Sequence, residues 1–172
     1  MKYLVEISEL YDLQIKPYFG QPKGSDFTEI KALENEMAAK FPLAYTEFLL
    51  WMGRDKNGVF SGSNYWIDCV LSNNNYLPEL LAENQIDYQL PKSYVTFFMH
   101  QGYIAAWFEL PFLSENPECL FFSEGQGFSS HQKYSSFTEF ILNEMKNHTK
   151  HIHKLNKKRK WWNLWQGDKW MP

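Results

Sequence analysis

Four groups of side chains in this chain have residue types that could carry chemistry. Ser130 and Lys133 form an S-x-x-K match, and Ser129, Ser130 and His131 are adjacent. A serine nucleophile needs a base placed by the fold at hydrogen-bond distance, which adjacency in sequence does not supply. His148, His151 and His153 crowd one short stretch. A metal centre needs three or four ligands converging from a rigid frame, whereas histidines near a helix C-terminus are favoured there by the dipole alone. Glu34 and Glu36 pair two carboxylates, the residue type of acid–base catalysis. On a helix they point in different directions, so a solvated face is the expected role of both. The segment "SEGQGF" offers only G-x-G. No G-x-x-x-x-G-K-[ST], G-x-G-x-x-G or H-E-x-x-H occurs. These residues assign no catalytic group, no metal and no cofactor.

The elements that would have to position any site are easier to read. The stretch "ENEMAAKFPLAYTEFLLWMG" is helical on both sides of Pro42. Ile30, Leu33, Met37 and Phe41 fall at spacings of three and four, and Tyr45, Phe48, Leu49 and Met52 repeat the pattern. Asp26 and Glu29 form a capping box at the start. A proline inside a helix costs about 3 kcal/mol, but in a first turn its missing N–H is not needed. Pro42 is therefore expected to open a second helix, which Gly53 stops.

Residues 64–71, "NYWIDCVL", read as a strand, residues 72–75 as a turn or cap, and residues 76–85 as a short helix with Pro78 in its first turn. Three further strands are expected in "SYVTFFMH", "GYIAAWFEL" and "CLFFSEG", with a hairpin turn at Gln101-Gly102. Short runs without crossover helices suit an antiparallel meander. In "SFTEFILNEMKNH", Ser136 and Glu139 cap a last helix whose Phe137, Phe140, Ile141 and Met145 share a face. The expected fold class is α+β: an N-terminal helix pair and a C-terminal helix packed around a mainly antiparallel sheet.

The chain has 172 residues, 18% of them aromatic, which excludes disorder for most of it and suits one domain. The start "MKYLVEISEL" is not a signal peptide, and no apolar run approaches the roughly 20 residues of a membrane helix. A soluble cytoplasmic protein is expected, with Cys69 and Cys119 as reduced, buried thiols. Seven Lys or Arg against one Asp give residues 150–172 a charge of +6, so the remainder carries −9 of the net −3. The expected division is a domain over residues 1–147 and a basic, Trp-rich tail over 148–172. Basic charge with Trp161, Trp162, Trp165 and Trp170 is also the composition of a single-strand nucleic-acid binder or a membrane-surface segment. The acidic body would repel phosphate, and packing of the indoles on the body is the favoured reading.

The order and spacing of these features resemble the SUKH superfamily, which includes the yeast regulator of cell-wall synthesis of the Smi/Knr type and many bacterial immunity proteins. Glu34, Met37, Phe41-Pro42, Tyr45 and Phe48-Leu49 fall at the family's spacing. "VTFFMHQGYIAAWFEL", "ENPECLFFSEG" and "SSFTEFI" echo its strands and final helix. The resemblance spans residues 26–145. Phe41 replaces the usual Leu, and the usual Asn-Gly is displaced to Asn57-Gly58.

What the resemblance implies is a non-enzymatic immunity protein that binds and blocks a cognate bacterial toxin, of nuclease type and basic. Nuclease sites are commonly basic because they bind phosphate, and an acidic inhibitor associates quickly through steering. Glu115, Glu118 and Glu124 are the expected contacts, with Glu109 and Asp87 as weaker candidates. No membrane partner is expected, and nucleic acid is disfavoured. The alternatives are a regulatory scaffold and an enzyme of unrecognised type, for which a deep pocket with converging polar groups would speak.

Overall fold

The computed structural model describes residues 1–172 apart from 57–58, 125–132 and 168–172, and the backbone alone for 155–167. Asn57-Gly58, Ser129, Ser130 and His131 and the side chains of the tail tryptophans lie outside the described residues. The helices are α1 (Val5–Gln14), α2 (Lys16–Phe19), α3 (Phe27–Glu36), α4 (Leu43–Met52), α5 (Val70–Glu83) and α6 (Phe137–Gly167). The strands are β1 (Ser63–Asn64), β2 (Tyr94–His100), β3 (Ile104–Glu109), β4 (Cys119–Ser123) and β5 (Lys133–Tyr134). They form one sheet in the order β1-β2-β3-β4-β5, and every pairing is antiparallel. The fold is α+β, as expected. No helix among the described residues is long and apolar enough to cross a membrane.

The helix pair forms as its sequence requires. Asp26 accepts the N–H of Glu29, and Glu29 accepts the N–H of Asp26. Pro42 is the N-cap of α4, in extended backbone at φ −65° and ψ 151°. Tyr45, Phe48, Leu49 and Met52 are all buried. Around the Tyr45 ring stand Phe41, Phe97, Phe108 and Phe137, with centroids 5.2 to 6.1 Å away. One expectation is overturned here. Glu34 is not on a solvated face: it is buried, and its carboxylate accepts the N–H of Phe41 at 2.7 Å while Lys31 meets its other oxygen. Only Glu36 is exposed. The bend before Pro42 is thus closed by a side chain from the preceding helix.

The sheet separates two apolar cores. Along β3, Ala106 and Phe108 face the larger core with α1, α3, α4 and α6, and Ala105 and Trp107 face a smaller one under α5. In β2 a bulge falls at Phe97, because Thr96 pairs with Trp107 and Phe98 with Ala106. The extra residue lets Phe97 and Phe98 both enter the larger core, while Met99 returns to the smaller one. In the turn, Gln101 and Gly102 have φ of 48° and 79°, and Tyr103 N–H closes it on the His100 carbonyl.

Residues 64–83 depart from expectation. Only Ser63–Asn64 is strand, Ile67–Cys69 is a single 3₁₀ turn, and the asparagines of residues 73–75 lie inside α5, not in a turn. Pro78 is in the interior of α5, not its first turn. Val70, Leu77, Leu80 and Leu81 form the buried stripe, with Asn73 buried among them. The asparagines are tied to neighbours: Asn73 donates to the Asn64 carbonyl, and the Asn74 side chain accepts from Thr96 N–H. Cys69 is half-buried, unlike the buried Cys119, and both are free thiols.

Helices α1 and α2 and strand β5 had no counterpart in the sequence analysis. α1 packs against α6, and Leu4, Ile7, Tyr11 and Ile15 are buried at helical spacing. α6 starts at Ser136, whose hydroxyl accepts Glu139 N–H, while the Glu139 carboxylate reaches back to Ser135. The helix runs unbroken across residues 147 and 148, and Thr149 and Ile152 beyond them are buried.

Candidate functional site

The loop between β3 and β4 carries Glu115 and Glu118, two of the five acidic candidates singled out above, and its polar groups hold two helices. α4 begins at a proline with no side-chain cap of its own. Glu115 supplies one from 72 residues away: its carboxylate accepts Leu43 N–H at 2.8 Å and its carbonyl accepts Ala44 N–H at 2.9 Å. A carboxylate at a helix N-terminus is favoured by both the free N–H groups and the dipole. The next two residues serve α6 in the same way. Asn116 accepts Thr138 N–H and donates to Thr138 Oγ1, and the Pro117 carbonyl accepts Phe137 N–H at 2.7 Å.

This doubly anchored loop borders a groove of about 490 Å³, lined by Glu109, Phe112, Leu113, Glu118 and Leu120 among others. Leu113 is wholly exposed. Glu118 is mostly exposed and pairs with Lys133 at 3.1 Å. Glu109 accepts the hydroxyl of Tyr88, and burial and that carboxylate together push the Tyr88 phenol up. Asp87, exposed, immediately precedes Tyr88. The structure therefore brings Glu109 and Glu118 to one groove with Asp87 one residue from its margin, and commits Glu115 to helix capping. Glu124 lies elsewhere. It follows β4 at the other end of the sheet, where its N–H meets the Tyr103 carbonyl at 3.0 Å.

The residues of the helix-pair motif have structural work. Tyr45, Phe48 and Leu49 are core, Pro42 opens α4, and Met37 is the half-buried C-cap of α3. Glu34 joins the two helices through Phe41. The capping by Glu115 left no local signal, because its partner is distant in sequence.

The histidines divide. His148 and His151 face a cleft with Glu144, and His153 is exposed without joining them. Among the described residues no three His, Cys, Asp or Glu side chains come together as metal ligands. Burial pushes the Cys119 thiol well up, away from thiolate reactivity.

Residues 24–143 fit the sequence model of the SMI1 / KNR4 family (SUKH-1). No curated protein matches the chain.

Proposed function

The chain belongs to the SMI1 / KNR4 family (SUKH-1), and from that premise we propose that it is a non-catalytic binding module of the immunity type. It neutralises a cognate bacterial toxin by covering it, inside the cytoplasm. The proposed contact is the groove beside the β3–β4 loop, and one observation carries that choice. An exposed apolar residue, Leu113, lines the same groove as the acidic side chains of Glu109 and Glu118, on a loop anchored to two helices. Interfaces combine an apolar centre with a polar rim, and a loop already held in place loses little freedom on binding. The acidic rim suits a basic partner such as a nuclease domain.

The test is direct. The protein is used to capture its partner from the native host, the partner is purified, and its toxic activity is titrated. Inhibition complete at a one-to-one ratio, and lost with Leu113→Asp, supports the reading. A partner inhibited equally by the Leu113→Asp variant refutes the groove, and a partner whose activity is untouched refutes neutralisation.

An enzyme is the second reading, and one observation favours it. Ser63 Oγ lies 2.8 Å from His100 Nδ1 at the edge of the cleft that also holds Glu144. Ser63 is almost wholly buried, at 3% exposure, which speaks against an attacking nucleophile. Turnover in hydrolase screens that disappears with Ser63→Ala would decide for the enzyme.

A further inference from the structure

The cleft at the opposite end of the sheet from the acidic groove has a chemistry of its own. Three elements wall it: the segment around Phe60 and Ser63, the strand ends at Phe98, His100, Ile104 and Phe121, and one face of α6. The α6 face is Glu144, Asn147, His148 and His151, the spacing of one helical stripe. Its volume of about 330 Å³ is at the lower end of the ligand-site range, roughly 300–1,000 Å³.

We infer that this cleft binds a small organic cation, an ammonium or guanidinium group on a short apolar stem, with Glu144 as its counter-charge. The rings of Phe60, Phe98 and Phe121 would surround the stem, and aromatic faces attract cations.

The charge balance of the walls carries the inference. Among the described residues no lysine or arginine lines the cleft. The Ser63 hydroxyl meets His100 Nδ1 and fixes that ring. His148 is flanked by the rings of Phe19 and Phe60, and its Nε2 has no hydrogen-bond partner among the described residues. Burial lowers both imidazoles from their ordinary value, so they are neutral near pH 7. Among the described residues Glu144 is the one carboxylate on the cleft wall. Burial raises its carboxyl, against a lowering hydrogen bond from Asn147. A cation in the cleft would reverse that rise, because an opposite charge nearby favours the ionised form.

Other titratable groups face this region. Tyr103 packs edge-on against His100, Tyr134 of β5 feels the Glu144 charge, and His151 adds to the lowering at His148. Burial, with the Glu144 charge, raises the Tyr134 phenol, which stays neutral near pH 7. Lowering the pH protonates Glu144 and charges His100 and His148, and both changes oppose a cation.

The test is a calorimetric and NMR titration of the full chain with phenethylamine. The neutral control is N-acetylphenethylamine, and blocked arginine represents a cation carried by a protein. Saturable binding with a Kd of about 1 mM is expected for a ligand of this size. It should weaken about tenfold on acetylation or with Glu144→Gln, weaken again from about pH 8 to about pH 5.5, and shift the His148 ring protons. Blocked arginine binding more tightly than the amine would assign the cation to a partner's side chain, and the reverse order to a free amine. Equal affinity for the neutral analogue overturns the inference, as does the lack of any saturable binding. The acetylated control needs no variant, so the result stands even if Glu144→Gln fails to fold.

Discussion

The hydroxyl of Tyr94 donates to the backbone carbonyl of Asn74 at 3.0 Å, and that carbonyl is the one Pro78 leaves unserved. A residue four places on would normally donate its N–H there, but proline has none. The strand thus supplies the donor that the helix lacks, and α5 continues through its proline. Tyr94→Phe should cost about 1–2 kcal/mol in urea unfolding. In a Pro78→Ala background, where a helical N–H becomes available, the same change should cost clearly less. Equal costs in the two backgrounds would show the groups to be uncoupled.

Tyr45 gives a sharper contrast. Its ring is fully buried, and its hydroxyl has no hydrogen-bond partner among the described residues. Tyr45→Ala should cost about 3–5 kcal/mol by opening a cavity. Tyr45→Phe should be neutral or stabilising, by up to about 1–3 kcal/mol, since it removes a desolvated hydroxyl. Denaturant midpoints of the two variants measure both.

Glu34 should matter through one oxygen. Glu34→Ala leaves the Phe41 N–H buried without its acceptor and should destabilise by about 1–3 kcal/mol. Glu34→Gln keeps an acceptor and should recover much of that loss. Thermal unfolding of the pair separates hydrogen bonding from charge.

Glu115 and Glu118 stand three residues apart and should behave differently. Reversing Glu115 removes the cap of α4 and should lower stability by about 0.5–2 kcal/mol. Reversing Glu118 breaks only an exposed pair with Lys133, worth about 0–1 kcal/mol. A variant reversing Glu115 together with Glu118 and Glu124 would therefore mix loss of a helix cap with loss of surface charge. Stability curves of the single variants test the split.

For the proposed partner, Asp87→Lys with Glu118→Lys is the cleaner probe. Association with the captured toxin should slow as salt rises, because the Debye length falls from about 30 Å at 0.01 M to about 10 Å at 0.1 M. It should slow further in the double variant, with dissociation less affected. Stopped-flow association rates indifferent to both changes would remove the groove as the docking face.

The parts of the fold legible in the sequence are those whose partners are near in the chain. The capping box at Asp26, the cap at Ser136 (where Glu139 reaches back to Ser135 instead of closing the box), the stripes on either side of Pro42 and the three aromatic strands all follow from local spacing. Residues 64–83 were illegible for a physical reason. Three consecutive asparagines look like a turn, and only the contacts to Asn64, Tyr94 and Thr96 make them acceptable inside a helix. The acidic loop was legible as charge but not as a cap, because Leu43 and Thr138 are far from it in sequence. The cleft draws its walls from four separate stretches, so no single motif announces it.

The contact between Asn74 and Thr96 also bears on how the molecule keeps to itself. Beyond the short pairing of β1 with Met99 and His100, the outer margin of β2 has no neighbouring strand among the described residues. At Thr96 the Asn74 side chain occupies the backbone N–H, at 3.0 Å, that an incoming strand would use to start a ladder. Sheet margins left open are templates for fibre growth and strand exchange. A single amide group, carried on a helix that must be there anyway to cover Trp107 and Phe122, makes this margin a poor place for polymerisation to begin.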